Sequence, residues 1–207
     1  MSRLRYNRKQ AVDTLNASCS RMASLIQAKG PFSLQLKKET DLFTSLAGSI
    51  VYQQLSGKAA ATIYGRFETL FADNKPVASV AVDLSVQTLR SVGLSNNKAL
   101  AIIDLAEHSC SGSLPNARKM ASLDDNAVID SLCRVRGIGP WTAQMFLMFS
   151  LGRPDVMPTT DLGIQKGVQL TYKLPELPKP DLVLETTQHL APYRSVASWY
   201  FWRAVDD

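Results

Sequence analysis

The chain is short of the residues that build most alternatives to a plain helical protein. Its 207 residues include three cysteines and two histidines. Cys19, Cys110 and Cys133 are far apart and form no C-x-x-C pair. That spacing excludes a disulfide framework and a four-cysteine zinc or iron–sulfur site, and leaves reduced thiols. His108 and His189 lie in no motif, so no histidine general acid or base stands out. Apolar residues never reach the run of roughly 18 that a membrane helix needs. The segment Met1–Gln10 is basic and polar with no apolar run behind it, so no export signal is legible. Strand-like alternation is nearly absent, as are repeats and low-complexity tracts.

What remains is an apolar, mildly basic sequence. Hydrophobic residues make up 45%, enough for one globular unit or two closely packed lobes. The 23 Lys+Arg exceed the 18 Asp+Glu by five, giving a pI near 9.2. This balance suits an anionic partner and is also common in soluble proteins without one. The apolar spacing is helical: Ala11, Leu15, Met22 and Ile26, then Leu42, Leu46 and Ile50, then Leu100, Ile103 and Leu105 recur at intervals that line one helix face. Breaks at Gly30-Pro31, Asn74–Pro76, Gly93–Asn97, Gly112–Pro115, Gly137–Pro140 and Pro175–Pro180 divide the chain into roughly eight to ten helices. The fold class expected is all-α. The Pro175–Pro180 stretch is too short for a domain linker, so residues 1–207 read as a single domain.

One segment carries chemistry. Asp124 to Arg134 reads as a helix, capped by Asp124 or Asp125 and buried through Val128, Ile129, Leu132 and Val135. Pro140 is a favoured first residue for the next helix. Between them Gly137 and Gly139 bracket Ile138, which turns inward while the glycines leave the backbone bare. Unpaired N–H groups at the start of the Pro140 helix would attract a phosphate oxygen by direct hydrogen bonds and by the helix dipole. Two glycines alone also serve many tight helix–helix turns. Further on, Thr159-Thr160-Asp161-Leu162 reads as a helix start with Asp161 as its N-cap, and Leu89–Ser95 followed by Lys98-Ala99 as a looser helix–glycine–helix turn.

The full hairpin, Val135-Arg136-Gly137-Ile138-Gly139-Pro140-Trp141-Thr142-Ala143, closely resembles that of the helix–hairpin–helix DNA glycosylase superfamily, in particular the alkyladenine (3-methyladenine) branch. The resemblance runs from about Leu42 to Arg203. Ser49–Ser56 with Lys58-Ala59-Ala60 looks like that branch's DNA-probing segment. Gly93-Leu94-Ser95 with Lys98-Ala99 is similar to its second turn. Asp155–Pro158 with Asp161-Leu162-Gly163 matches its catalytic loop, and Pro192–Ser195 with Trp202-Arg203 its last helix.

This resemblance implies two helical lobes flanking a cleft, the hairpin lying at about 124–150, in the compact form that lacks the larger enzymes' N-terminal β domain. It implies a monofunctional glycosylase that flips alkylated purines, of 3-methyladenine or 7-methylguanine type, out of duplex DNA and hydrolyses their N-glycosidic bond. Asp161 is the implied catalytic carboxylate, stabilising positive charge on the sugar as the base departs. Trp141, Met145 and Trp202 are the implied base pocket, and Gln53, Gln54, Leu55 and Ser56 the wedge that fills the gap left by the flipped nucleotide. Arg136, Gly137, Ile138, Gly139 and Thr142 form the phosphate-binding hairpin, with Lys58, Lys166 and Arg194 as further phosphate candidates. Trp141 stands where lyase-type relatives carry a Schiff-base lysine, so no lyase step is expected.

No cofactor is expected beyond a possible monovalent cation at the carbonyls of Cys133, Val135 and Ile138; the metal content is otherwise unknown. The partner is damaged double-stranded DNA, with no membrane, and the protein is expected to be a monomer. The location is intracellular: nucleus in a eukaryote, cytoplasm in a bacterium. Arg3, Arg5, Arg8 and Lys9 suit nuclear import, a phosphate-touching arm or a solvated tail equally.

Two positions depart from the pattern. Thr160 stands where many relatives have an acidic residue or glycine, and Met145 where some have an aromatic wall. Two other readings stay open: a non-catalytic or weakly catalytic damage binder that recognises abasic sites with the same hairpin and wedge, and a helical interaction module that no longer binds DNA.

Overall fold

A computed structural model of the chain describes residues 4–36 and 41–206. Among these residues there are thirteen α-helices, two 3-10 turns and no strand. The helices are α1 (Arg8–Ser18), α2 (Ser20–Lys29), α3 (Leu42–Tyr52), α4 (Gly57–Glu68), α5 (Ala78–Ala81), α6 (Val86–Ser91), α7 (Asn96–Cys110), α8 (Ala117–Ser122), α9 (Asp125–Cys133), α10 (Pro140–Phe149), α11 (Leu162–Tyr172), α12 (Pro180–Thr187) and α13 (Arg194–Val205). Ten have eight or more residues; α5, α6 and α8 have four to six, too short for a helical period to register in sequence. No helix among the described residues is long and apolar enough to cross a membrane.

Side-chain caps set where many of these helices begin. Asn7, Asp41, Ser56, Ser85, Ser95, Asn116, Asp124 and Asp161 each accept the N–H three residues on. Each cap satisfies one of the amides that the first turn leaves without a partner, worth about 0.5–2 kcal/mol.

The described residues divide into two compact units, 41–146 and the discontinuous pair 4–36 with 147–206, and the boundary falls inside α10. The single domain expected for the chain thus has two parts, and its N-terminal helices belong with its C-terminal ones. In the first unit α3 packs on α4 and α7, with Leu46, Ile50, Phe67, Ile102 and Leu105 fully buried. In the second unit α11 packs on α13, α1 on α2, and α2 on α13. Its core gathers Ala11, Leu15, Met22, Ile164, Val168, Tyr200 and Phe201. Gly167 makes the α11–α13 approach possible, because a β-carbon there would collide with the Phe201 backbone. No composition shift marks this division, since helices at opposite ends of the sequence meet mainly through apolar side chains, with the Tyr200 hydroxyl donating to the Gly30 carbonyl at 3.1 Å.

Candidate functional site

In the first unit, α9 and α10 form the expected hairpin. Asp124 caps α9, accepting the Ala127 N–H at 2.9 Å, and Pro140 is the first residue of α10. Ile138 is buried, and its N–H closes the turn onto the Val135 carbonyl at 3.1 Å. The two glycines do different work. Gly137 has φ +78°, and a β-carbon there would lie 3.1 Å from the Ala101 β-carbon, so the fold itself requires glycine. Gly139 has open space where its β-carbon would be. Nothing inside the protein calls for glycine there, and a bare backbone at the start of α10 is what an approaching phosphate oxygen needs. The Arg136 N–H is already taken, donating to Asp104 Oδ2 at 2.7 Å. The Arg136 side chain is exposed.

The α3–α4 turn holds the residues expected to form the wedge. Gln54 adopts φ +55°, a left-handed conformation that reverses the chain sharply, and Leu55 is 39% exposed. Ser56 is spent as the N-cap of α4, accepting the Ala59 N–H at 3.4 Å. Gln53 points inward: its amide Nε2 donates to the Gly137 carbonyl at 3.0 Å and to Thr142 Oγ1 at 3.1 Å. Gln53 therefore ties this turn to the hairpin, and the exposed positions at its tip are Gln54 and Leu55. Buried Thr142 serves as an acceptor in this tie. Lys58 is exposed in the first turn of α4.

Trp141 is 40% exposed, unusual for so large an apolar ring and consistent with a surface that meets a ligand. Met145, one turn on, is half-buried.

In the second unit, Asp161 caps α11. Its Oδ1 accepts the Ile164 N–H at 2.9 Å and the indole Nε1–H of Trp202, also at 2.9 Å. The positive end of α11 and these two donors favour a carboxylate fixed in direction. Gly163 makes room for the indole: a β-carbon there would stand 2.8 Å from Trp202 Cδ1 and 3.0 Å from Asp161 Oδ1. The half-buried Trp202 ring also stacks on Phe149, centroids 5.9 Å apart. Trp202 thus holds the carboxylate, a role that the expectation of a pocket wall did not include.

The loop before Asp161 is pinned to α13. The Val156 N–H donates to Ser195 Oγ at 2.9 Å, and Ser198 Oγ donates to the Val156 carbonyl at 3.2 Å. Gln165 Nε2 donates to the Thr159 carbonyl at 3.0 Å, while Thr160 is exposed. Arg194, expected to face phosphate, is turned to Asp155: Nε donates to Oδ1 at 2.7 Å and Nη2 to Oδ2 at 2.8 Å. The carboxylate occupies the guanidinium fork, which raises the Arg194 pKa further and makes this residue a fastener of α13. Lys166 is exposed on α11.

Of the basic start, Arg8 Nη2 donates to the Leu34 carbonyl at 2.8 Å and Lys9 pairs with Asp13; Arg3 lies outside the described residues. Among the described residues no group of three or more His, Cys, Asp or Glu could hold a metal ion.

Two residues of the site have no role in the sequence reading. Asp104 fixes the hairpin turn. Lys98 donates from Nζ to the carbonyls of Val51 and Gln53, both at 2.7 Å, and burial lowers its pKa. A signal for Lys98 was present, since a cation in the first turn of α7 opposes the helix dipole unless its head group is used elsewhere.

Residues 47–192 match the family model described as HhH-GPD superfamily base excision DNA repair protein. The chain is 33% identical over 190 residues to DNA-3-methyladenine glycosylase 1 of Schizosaccharomyces pombe, covering 91% of this chain and 82% of that one. Among solved structures, the Schizosaccharomyces pombe 3-methyladenine DNA glycosylase Mag1 in complex with abasic DNA matches with a TM-score of 0.84 at 31% identity, covering 94% of this chain and 95% of that chain. A DNA-3-methyladenine glycosidase from Bacillus halodurans matches with a TM-score of 0.83 at 38% identity, covering 94% and 88% respectively.

Proposed function

The chain belongs to the HhH-GPD superfamily of base excision DNA repair proteins, and on that premise we propose that it is a monofunctional glycosylase that hydrolyses the N-glycosidic bond of alkylated purines in duplex DNA. The observation that carries this reading is the oriented carboxylate: Asp161, at the head of α11, is fixed by the Ile164 N–H and the Trp202 indole.

The chemistry follows from what these groups supply. As the glycosidic bond breaks, its electron pair leaves with the base and positive charge grows on the sugar. A fixed carboxylate beside that sugar favours the charged state over the ground state. Water adds to the anomeric carbon and loses a proton, so the products are the free base and an abasic sugar. A carboxylate that stabilises charge is no proton donor for the leaving base, and the side-chain bonds of His108 and His189 run to Ser113 and Tyr172. Bases already cationic through alkylation, of 3-methyladenine or 7-methylguanine type, need no such donor. Trp141 stands where a lyase-type relative would carry its lysine, so the strand is left intact.

Gripping and unstacking fall to the first unit. The first-turn amides of α10 beside Gly139 hold a phosphate, exposed Arg136 and Lys58 add charge, and Gln54 and Leu55 fill the space of the departed nucleotide. The exposed Trp141 ring offers a stacking face, worth about 0.5–2 kcal/mol against a cationic base, with Met145 one turn on. The carbonyls of Cys133, Val135 and Ile138 are the proposed seat of a monovalent cation, which would steady the backbone grip and enters no bond-making step. The proposed partner is damaged duplex DNA bound by a monomer, in the nucleus of a eukaryote or the cytoplasm of a bacterium.

The test is chromatography of bases released from methylated duplex DNA, with the product strand examined before and after alkali. Free methylpurine with a strand that breaks only after alkali supports the proposal. Tight binding of abasic DNA with no released base would make the protein a damage binder instead.

A further inference from the structure

Three residues on one face of α7, each three positions after the last, hold both of the loops assigned to DNA. Lys98 Nζ donates to the carbonyls of Val51 and Gln53 at the end of α3. The Ala101 β-carbon lies where Gly137 of the hairpin must pass without a side chain. Asp104 Oδ2 accepts the Arg136 N–H of the same hairpin at 2.7 Å. Between the two loops, Gln53 Nε2 bridges to the Gly137 carbonyl and to Thr142 Oγ1.

From this arrangement we infer that Lys98 is a positioning residue for base flipping: it locks the Gln54–Leu55 wedge to the hairpin, so that wedge and phosphate grip move as one body. This inference rests on the function proposed above, because it assigns a purpose to the wedge.

Several observations favour a working role for this lysine over a passive one. The C-terminal end of α3 carries carbonyls that the helix leaves without N–H partners, and the negative end of its dipole. A single ammonium satisfies two of them at 2.7 Å. It does so with neutral partners, and burial lowers its pKa with no carboxylate among the causes. A surface lysine would instead stay hydrated. The residue that follows the clamp, Gln54, is the one forced into φ +55°, so the clamp ends where the exposed tip begins. Pushing a side chain into a base stack meets resistance of a few kcal/mol. A wedge on a loop that gives way would deflect before the stack opens; one braced against the hairpin transmits the force to the phosphates it grips.

The chemical test uses Lys98→Met, which keeps the apolar stem and removes the donors, and Lys98→Arg, which restores donors to the same carbonyls. Each is compared with the unaltered protein on two duplexes. The first carries a stable abasic analogue beside 2-aminopurine, whose fluorescence reports wedge insertion without any bond cleavage. The second is undamaged and reports the phosphate grip alone.

The expected result for Lys98→Met is at least a tenfold loss in the rate or extent of the fluorescence change, with affinity for undamaged DNA within twofold and thermal unfolding still cooperative. Lys98→Arg should recover a substantial part of the loss. If Lys98→Met proves too unstable to measure, the comparison rests on Lys98→Gln, which puts a neutral amide NH2 on a shorter stem and is expected to fall between the other two. Unchanged insertion in the methionine variant, or the glutamine variant in its place, overturns the inference. So does a parallel loss of insertion and undamaged-DNA affinity, which would mean that the lysine merely holds the unit together. Because the fluorescence assay needs no glycosylase chemistry, an inactive protein would refute the proposed function and still allow this inference to be judged.

Discussion

The indole N–H of Trp202 donates to Oδ1 of Asp161 at 2.9 Å, joining the last helix of the chain to the carboxylate at the head of α11. Two donors on one oxygen fix the direction in which the carboxylate faces. A hydrogen bond to a charged group is worth about 1.5–3 kcal/mol, and a carboxylate that wanders loses its advantage at the moment charge develops. Trp202→Phe leaves a smaller aromatic ring to stack on Phe149 and removes the donor. Its single-turnover rate of base release is expected to fall about tenfold or more, since each ~1.4 kcal/mol of barrier is a factor of ten. A rate within twofold of the unaltered protein would show that the indole does not orient Asp161.

Gly163 is the condition for that contact. Gly163→Ala places a β-carbon 2.8 Å from Trp202 Cδ1 and 3.0 Å from Asp161 Oδ1, too close for either to stay where it is. The expected outcome is a stability loss of about 1–3 kcal/mol from overpacking, measured by denaturant unfolding, with base release reduced at least as far as in Trp202→Phe. Full activity in a stable variant would contradict the packing argument.

The two hairpin glycines should separate cleanly. Gly137→Ala forces a side chain into φ +78° against Ala101 and is expected to cost about 1–2 kcal/mol of stability. Gly139→Ala meets open space, so stability should stay level or rise by up to about 1 kcal/mol. Its affinity for duplex DNA should nevertheless fall by about tenfold, the equivalent of one lost phosphate hydrogen bond. Titration at two salt concentrations beside a melting curve reads both effects. If Gly139→Ala binds DNA normally, the hairpin amides do not hold phosphate.

Arg194 gives the opposite pattern. Because its fork is closed on Asp155, Arg194→Lys cannot make both bonds, and a stability loss of about 1–3 kcal/mol is expected for this partly buried pair. Affinity for undamaged DNA should change by less than twofold. A clear loss of DNA affinity with unchanged melting would return Arg194 to the phosphate contacts.

How much of this was legible in sequence follows from the kind of signal each residue leaves. The hairpin, the Asp161 cap and the Pro140 helix start were readable because glycine, aspartate and proline act on the backbone within a few positions. Two lobes followed from the resemblance, but the pairing of the chain's two ends did not, because α1 and α2 pack on α13 from the far end of the sequence and leave no local mark there. The Asp155 partner of Arg194 was not foreseen and Lys98 was left without a role for one reason: a long cationic side chain carries no mark of where its head group goes. Gln53 stood in the right segment, yet the partners that turn it inward, Gly137 and Thr142, lie more than eighty positions away. Asp104 was invisible because its partner is a backbone N–H.

The central claim is that Asp161 carries the hydrolysis of a glycosidic bond. The most direct test measures methylpurine release from alkylated duplex DNA in a single turnover, with protein in excess, for the unaltered chain and Asp161→Asn. Asparagine keeps an oxygen that can accept the Ile164 N–H and removes the charge. The account predicts release from the unaltered protein and a loss of at least a hundredfold in the variant, with affinity for abasic DNA retained. Equal release from both proteins, or release from neither, would contradict it.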